Sequence, residues 1–213
     1  MAHLFPIMLN LENKPCLVVG GGAVACRKVE RLLHYGPKIT VVSPQVEKQI
    51  EQWAENNRIS WVRRPYQEQD LTQAYIVFIA TDQEDLNSSI AGRCRDLGIM
   101  VNAVDDPPNC DFFVPAMIRR DSLTVAISTE GKSPAYAKEL RRQLEKVITD
   151  EHGKFVELLG EYREYIINRF ADINIRRQIF DSLAKSDVLL LLKENKHEQA
   201  RERIQACISL WED

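Results

Sequence analysis

Cys16-Leu17-Val18-Val19-Gly20-Gly21-Gly22-Ala23-Val24-Ala25 is a short apolar run that breaks into three glycines and resumes as a helical pattern. It contains G-x-G-x-x-A as Gly20, Gly22 and Ala25, after a strand and at the start of a helix. Each residue type has a physical role in that context. The first glycine permits a tight turn, the second lets the backbone approach a pyrophosphate, and a small third residue lets helix and strand pack closely. The helix N-terminus then offers unpaired N–H groups and a partial positive charge to phosphates. A glycine turn with no ligand is the competing reading, and the strand–turn–helix context weighs against it.

The texture around this stretch extends the same reading. Apolar runs at Cys16–Val19, Ile39–Val42, Ile59–Val62, Tyr75–Ala80 and Ile99–Val104 alternate with helical patterns, as βαβ units of a parallel sheet do. One helix opens at Ala23 and stops at Tyr35-Gly36-Pro37, where Gly accepts the left-handed cap and Pro cannot continue. Another runs from about Asp82 to Leu97, with Leu86, Ile90, Cys94 and Leu97 on one face. After about residue 113 the pattern changes. Phe112–Arg119 and Leu123–Ser128 flank Arg120-Asp121-Ser122 and predict an antiparallel hairpin. Ser133-Pro134 opens a helix with Leu140, Leu144 and Val147 along it, because Ser caps well and Pro suits the first position. Residues 151–213 read as helical, with Ile204, Ile208 and Trp211 as a late stripe; Tyr162, Tyr165 and Trp211 read as core.

Composition bounds the function classes. With 213 residues, 45% hydrophobic and 28% charged, the chain is that of a soluble globular protein, and no apolar run approaches membrane-spanning length. The balance of 28 Lys+Arg against 31 Asp+Glu, net −3, argues against non-specific nucleic-acid binding. Five cysteines without a CxxC pair predict free thiols in a reducing compartment, and Met1-Ala2-His3-Leu4-Phe5-Pro6 lacks a secretory signal, so a cytoplasmic protein is expected. The histidines His3, His34, His152 and His197 show no metal-ligand spacing, and no metal is expected.

Two further stretches carry chemistry. Dinucleotide sites commonly place an acid about 20 residues beyond the glycines to hold the ribose. Here that place reads Val41-Val42-Ser43-Pro44-Gln45, leaving Ser43, Gln45 and backbone N–H groups for the ribose and the choice between NAD and NADP open. Val101-Asn102-Ala103-Val104-Asp105-Asp106-Pro107-Pro108 leaves the sheet at the carboxyl edge, where open α/β sheets bind ligands. Asp105 there reads equally as a proton acceptor or as a turn former before the prolines; Asp106 reads as turn, and Asp111 as a cap or an Arg partner. Gly131-Lys132-Ser133 resembles part of a P-loop, but Ala126 stands where its first glycine belongs and Pro134 follows at once. A helix cap, with Lys132 available to a carboxylate, is the better reading.

In their joint order and spacing these segments resemble the precorrin-2 dehydrogenase family, of the type found as the N-terminal module of sirohaem synthases. The resemblance runs through Pro6-Ile7-Met8-Leu9-Asn10-Leu11, Val18-Val19-Gly20-Gly21-Gly22-Ala23-Val24-Ala25-Cys26-Arg27-Lys28 and Ala80-Thr81-Asp82. It continues through Val101-Asn102-Ala103-Val104-Asp105, Phe112-Phe113-Val114-Pro115-Ala116 and Ser128-Thr129-Glu130-Gly131-Lys132-Ser133-Pro134. It implies a Rossmann-type α/β domain over 1–113, a hairpin-plus-helix dimerisation region over 114–150 and an all-helical domain over 151–213, acting as a homodimer. It implies NAD as cofactor, held by Gly20, Gly21, Gly22, Ala23, Val24, Ala25, Ser43, Pro44, Gln45, Ala80, Thr81, Asp82 and Asn102, with Asp105 catalytic. Arg119, Arg120, Lys132, Ser133 and Lys138, with Arg141 and Arg142, are candidate partners for the carboxylates of precorrin-2; each is otherwise an ordinary solvated charge or cap. The implied reaction is oxidation of precorrin-2 to sirohydrochlorin for sirohaem or cobalamin. The alternatives are a bifunctional enzyme that also inserts iron, and a non-catalytic NAD-sensing module.

Overall fold

The computed structural model describes residues 3–212. They form two compact units, Met1–Val114 and Pro115–Asp213 by their bounds. In the first unit five short strands alternate with helices: β1 (Pro15–Val19), α1 (Ala23–Leu32), β2 (Lys38–Val42), α2 (Lys48–Glu55), β3 (Ser60–Val62), β4 (Ile76–Ile79), α3 (Glu84–Leu97) and β5 (Met100–Ala103). All pairings are parallel, in the order β3-β2-β1-β4-β5. The order reverses between β1 and β4, and that switch point opens the crevice at the carboxyl edge.

The sheet's two faces account for its apolar strands. Cys16, Val18, Ile39 and Phe78 point into one core with Ala25, Val29 and Leu32 of α1 and Ile50 and Trp53 of α2. Leu17, Val19, Val77 and Val101 point into the other, with Ile90, Ala91 and Cys94 of α3. A strand covered on both faces cannot alternate apolar with polar, so its period-2 signal disappears. The helix α2, which the sequence reading leaves unmarked although Ile50, Trp53 and Ala54 recur at helical spacing, covers the first face through its two buried residues. All five cysteines are free, with Cys16 and Cys94 buried.

The second unit starts with the antiparallel pair β6 (Ala116–Arg120) and β7 (Leu123–Ile127), joined through Asp121 in the left-handed region at φ +48°. The helices α4 (Pro134–Glu145), α5 (Asp150–Arg169), α6 (Ile173–Ala184), α7 (Val188–Lys193) and α8 (His197–Ser209) follow. Leu158, Ile166, Ile179, Leu183, Val188, Leu192, Ile204 and Ile208 form their common core, with Trp211 partly buried against it. Local caps fix the helix starts. Ser133 Oγ accepts from the Tyr136 amide at 3.3 Å, Asp172 accepts from Asn174 at 2.7 Å, and His152 Nδ1 accepts from the Thr149 amide at 3.1 Å. Gly153 lies where α5 crosses the hairpin, since a Cβ there would meet the Arg120 carbonyl oxygen at 2.6 Å.

Three expectations change. The hairpin does not begin at Phe112: the segment before Ala116 packs in the first unit, where the Phe112 ring meets Phe78 edge-on at 5.4 Å and 88°. Tyr165 is half exposed and its hydroxyl donates to Glu212 at 3.0 Å, so it is no core residue. On α4 only Ala137 is buried; Leu140 and Leu144 are half-buried and Val147 is exposed, which leaves its apolar stripe largely open to solvent.

Candidate active site

The glycine turn lies at the switch point, and its three glycines meet different surroundings. Gly20 has φ +114°, which side chains rarely adopt, and a Cβ there would lie 2.2 Å from the Ala80 carbonyl oxygen. It lets the end of β1 close against the end of β4. Gly21 is buried, and a Cβ would lie 2.0 Å from the Gln45 carbonyl oxygen, so it closes the turn against the loop after β2. The Glu47 amide donates to the Gly21 carbonyl at 2.8 Å and completes that contact. Gly22 differs: it has ordinary backbone at φ −78°, and a Cβ there would meet nothing within 4 Å. Two glycines are required by the protein itself, and the third faces open space where a pyrophosphate fits.

Gly22 is also the N-cap of α1, which has no side-chain cap and no acidic residue in its first turn. Its amides and partial positive charge are therefore left to a ligand. Ala25 is fully buried under the helix, as close helix–strand packing demands. The chemistry of these residues fits a dinucleotide.

The flanking loops are built to hold still. Ser43 is buried, and its hydroxyl donates to the Gln45 carbonyl at 2.6 Å while its own carbonyl accepts from the Trp61 indole at 2.9 Å. Pro44 and Gln45 are exposed beside it. After β4, Thr81 donates its hydroxyl to Asn87 Oδ1, and Asn87 Nδ2 returns a bond to the Thr81 carbonyl at 3.1 Å. Asn87 is buried within α3 and is a positioning residue that the sequence reading missed. Asp82 stands exposed next to this clamp.

Beyond β5, Asp105 is exposed at φ +60°, and the Asp106 amide donates to the Ala103 carbonyl at 3.4 Å. A left-handed non-glycine residue costs on the order of 1–3 kcal/mol, least for Asn and Asp. The turn-former reading therefore holds, and the same turn leaves the carboxylate exposed at the edge. Asp106 serves the turn as expected, accepting from Asn109 Nδ2 at 2.7 Å. Asp111 is not an arginine partner: its carboxylate accepts from the Val101 amide at 3.0 Å and ties the returning chain to β5.

Behind Asp105 lies a polar cluster. Asn102 is buried; its Nδ2 donates to the Phe112 carbonyl at 2.9 Å, and its Oδ1 accepts from Lys28 Nζ at 3.2 Å. Lys28 also lies over the Phe78 ring, 5.6 Å from its centroid. Burial pulls the Lys28 pKa down, with Arg31 adding to this, while Cys110 and Asp105 act in the opposite sense. The Cys110 thiol donates to the Ala103 carbonyl at 3.0 Å, and burial raises its pKa. The sequence reading gives Lys28 no role; its signal is a lysine interrupting the Ala25, Val29 and Leu32 stripe.

Gly20, Gly21, Gly22, Ala23, Val24, Ala25, Ser43, Pro44, Gln45, Ala80, Thr81, Asp82, Asn102 and Asp105 all belong to the carboxyl side of this sheet or the elements that leave it. The cleft of about 590 Å³ bounded by Leu71, Thr72, Tyr75, Leu97, Ile99 and Met100 opens at the opposite edge, away from these residues. The cationic candidates lie in the second unit. Arg120 pairs with Asp150 at 3.0 Å, Arg119 Nε donates to the Asp121 carbonyl at 3.3 Å, and Lys132 stands exposed 4.0 Å from Glu130. Ser133 is the α4 cap, Lys138 is exposed, Arg141 pairs with Glu145 at 2.7 Å and Arg142 with Glu139 at 3.7 Å. The cap reading of Gly131-Lys132-Ser133 therefore holds, and no P-loop forms.

Comparison with known proteins agrees with this geometry. An NAD(P)-binding family profile matches residues 7–116, one for the central part of sirohaem biosynthesis proteins matches 120–146, and one for the sirohaem synthase dimerisation region matches 151–208. The dimerisation label thus falls on the helices after residue 150. Siroheme synthase from Nitrosococcus oceani is 32% identical over 203 residues, covering 95% of this chain and 43% of that protein. Siroheme synthase from Thioalkalivibrio sulfidiphilus is 35% identical over 204 residues, covering 96% and 42%. The chain therefore spans less than half the length of these relatives. Among solved structures, SirC, a precorrin-2 dehydrogenase, superposes with a TM-score of 0.76 at 25% identity, covering 95% of this chain and all of that one. With an NAD(P)-binding profile over half its length and two sirohaem-specific profiles behind it, the chain belongs to the NAD(P)-binding family that this profile describes, and it is similar to siroheme synthases and to the precorrin-2 dehydrogenase SirC.

Proposed function

We propose that this protein oxidises precorrin-2 to sirohydrochlorin with NAD+, in sirohaem or cobalamin synthesis, as a cytoplasmic homodimer. The observation that carries the reading is the pairing of an open-faced Gly22 at the mouth of α1 with an exposed, left-handed Asp105, both on one edge of one sheet. The name of SirC and a match that covers 95% of this chain support the choice of substrate.

When bound, NAD+ supplies the hydride acceptor. Oxidation removes two hydrogens from the macrocycle, one as hydride and one as proton. A carboxylate oxygen of Asp105 receives the proton and orients the pyrrole-type N–H groups of the substrate. The Ala23 and Val24 amides hold the pyrophosphate, and Ser43, Pro44 and Gln45 line the adenosine side. Ala80, Thr81, Asp82 and Asn102 line the nicotinamide side, with the Thr81–Asn87 clamp keeping that loop from moving. Arg119, Arg120, Lys132, Ser133 and Lys138 receive substrate carboxylates. In this reading residues 1–113 are the NAD-binding domain, 114–150 a hairpin-plus-helix region and 151–213 the helical domain that carries the dimerisation profile, and the exposed Tyr136 and Val147 on and after α4 add apolar surface for the second copy to cover.

The test is anaerobic incubation of the protein with precorrin-2 and NAD+, following NADH. Stoichiometric NADH and sirohydrochlorin are expected, and NAD+ binding without turnover would leave a nucleotide-sensing module instead. The same incubation with sirohydrochlorin and Fe2+ in place of NAD+ measures iron insertion.

A further inference from the structure

The polar cluster behind Asp105 sits on the side of the site that the adenosine loop leaves free. The glycine turn follows β1, Ser43-Pro44-Gln45 follows β2, and Lys28 reaches from α1 across to Phe78 of β4 and Asn102 of β5. A lysine in this place needs an explanation. Its neighbours on the helix stripe, Ala25, Val29 and Leu32, are buried and apolar, and among the described residues its hydrogen-bond acceptor is a neutral amide and not a carboxylate. The amide is clamped: because Nδ2 donates to the Phe112 carbonyl, Oδ1 has to face Lys28. The ammonium is thus aimed and held by β5 and by the face of Phe78, with no carboxylate in contact among the described residues.

The groups that act on this charge come from two elements. Arg27 and Arg31 lie on α1 itself, and Cys110 and Asp105 lie on the chain leaving β5. What it would act on is a ring whose charge changes during the reaction. Nicotinamide is cationic in NAD+ and neutral in NADH, so a fixed positive charge nearby disfavours the first relative to the second.

We propose that Lys28 is a positioning charge that biases the site toward reduced cofactor, so that precorrin-2 oxidation is drawn forward by the binding energies of NAD+ and NADH. This rests on the reading of the glycine turn as an NAD site. Asn102 and Phe112 set the direction of the ammonium; Asp105, exposed at the edge, is left free to handle the proton.

The test is the ratio of the dissociation constants of NAD+ and NADH, measured by calorimetry on the intact protein without substrate. Lys28→Met keeps the aliphatic stem, and Lys28→Gln keeps a donor for Asn102; both remove the charge. Each should lower the ratio of the NAD+ to the NADH constant about tenfold, the scale of one unit charge acting across about 10 Å of partly screened medium. Lys28→Arg should hold the ratio near the wild-type value. Thermal unfolding of each variant shows which are folded, and either neutral variant suffices. Two bound nucleotides with an unchanged ratio in the neutral variants, or the same change in Lys28→Arg, would overturn the proposal while leaving the NAD site intact. A wild-type protein that binds neither nucleotide would overturn the NAD reading itself, and this one with it.

Discussion

Replacing Gly20 and Gly22 separately with alanine distinguishes what the turn does for the fold from what it does for a ligand. At Gly20 a methyl carbon would lie 2.2 Å from the Ala80 carbonyl oxygen and 2.7 Å from its carbon, at φ +114°. The backbone conformation alone costs about 1–3 kcal/mol for alanine. Relieving the overlap requires the ends of β1 and β4 to part, and overpacking of this kind adds about 1–3 kcal/mol. The sum, roughly 2–6 kcal/mol, is a large part of the stability of a small domain. At Gly22 the backbone is ordinary and the space is open, so the loss is at most about 1 kcal/mol, the difference between glycine and alanine at an N-cap. A pyrophosphate would occupy that space, however, and Gly22→Ala should weaken NAD+ binding at least about tenfold, equivalent to about 1.4 kcal/mol. Denaturant unfolding and calorimetric titration of both variants test the contrast. Gly20→Ala as stable as wild type, or Gly22→Ala binding NAD+ with undiminished affinity, would refute the reasoning.

Three further outcomes follow from the packing and the ionisable groups. Arg64 holds the Asp70 carboxylate at 2.6 and 2.9 Å and pulls its pKa below the usual value. A lowered folded pKa contributes stability that is present above the unfolded value, near 4, and disappears as pH falls through the folded one. Asp70→Asn should therefore be less stable than wild type at pH 7, with the difference vanishing in acid; a gap that persists undiminished below both pKa values would contradict the assignment. Burial drives the thiols of Cys16 and Cys94 to pKa values of about 12 and about 11, so a thiol reagent applied to native protein at mildly alkaline pH should label Cys26, Cys110 or Cys207 and spare these two by peptide mapping. Ile166→Ala removes a fully buried side chain from the helical core and should cost about 2–5 kcal/mol in the unfolding of the second unit, with NAD+ affinity in the first unit unchanged.

The features legible in the sequence were those fixed by neighbours along the chain. The strand–glycine–helix stretch, the β-branched runs and the Ser133-Pro134 cap are local, and each appears where its residues place it. What escaped depends on contacts between distant residues. Phe112 reads as the start of a strand until Phe78 and Asn102 are known to hold it. The Lys28–Asn102 bond joins residues 74 positions apart, and the Thr81–Asn87 clamp needs the geometry of the β4–α3 turn. The need for glycine at position 21 comes from the Gln45 carbonyl, which no turn motif reveals. At Asp105 the sequence offered two readings as rivals; the left-handed backbone bears out the turn, and the exposed carboxylate is what the proposed proton acceptor needs.

Because that backbone favours Asn almost as well as Asp, Asp105→Asn removes the carboxylate without disturbing the turn, whereas Asp105→Ala adds about 1 kcal/mol of strain. The direct measurement is therefore paired: NAD+ affinity by titration and anaerobic precorrin-2 oxidation by NADH formation, both on Asp105→Asn. The account predicts wild-type affinity with turnover reduced at least about a hundredfold, the scale of a lost general base. Turnover at the wild-type rate in a variant that binds NAD+ normally would contradict it.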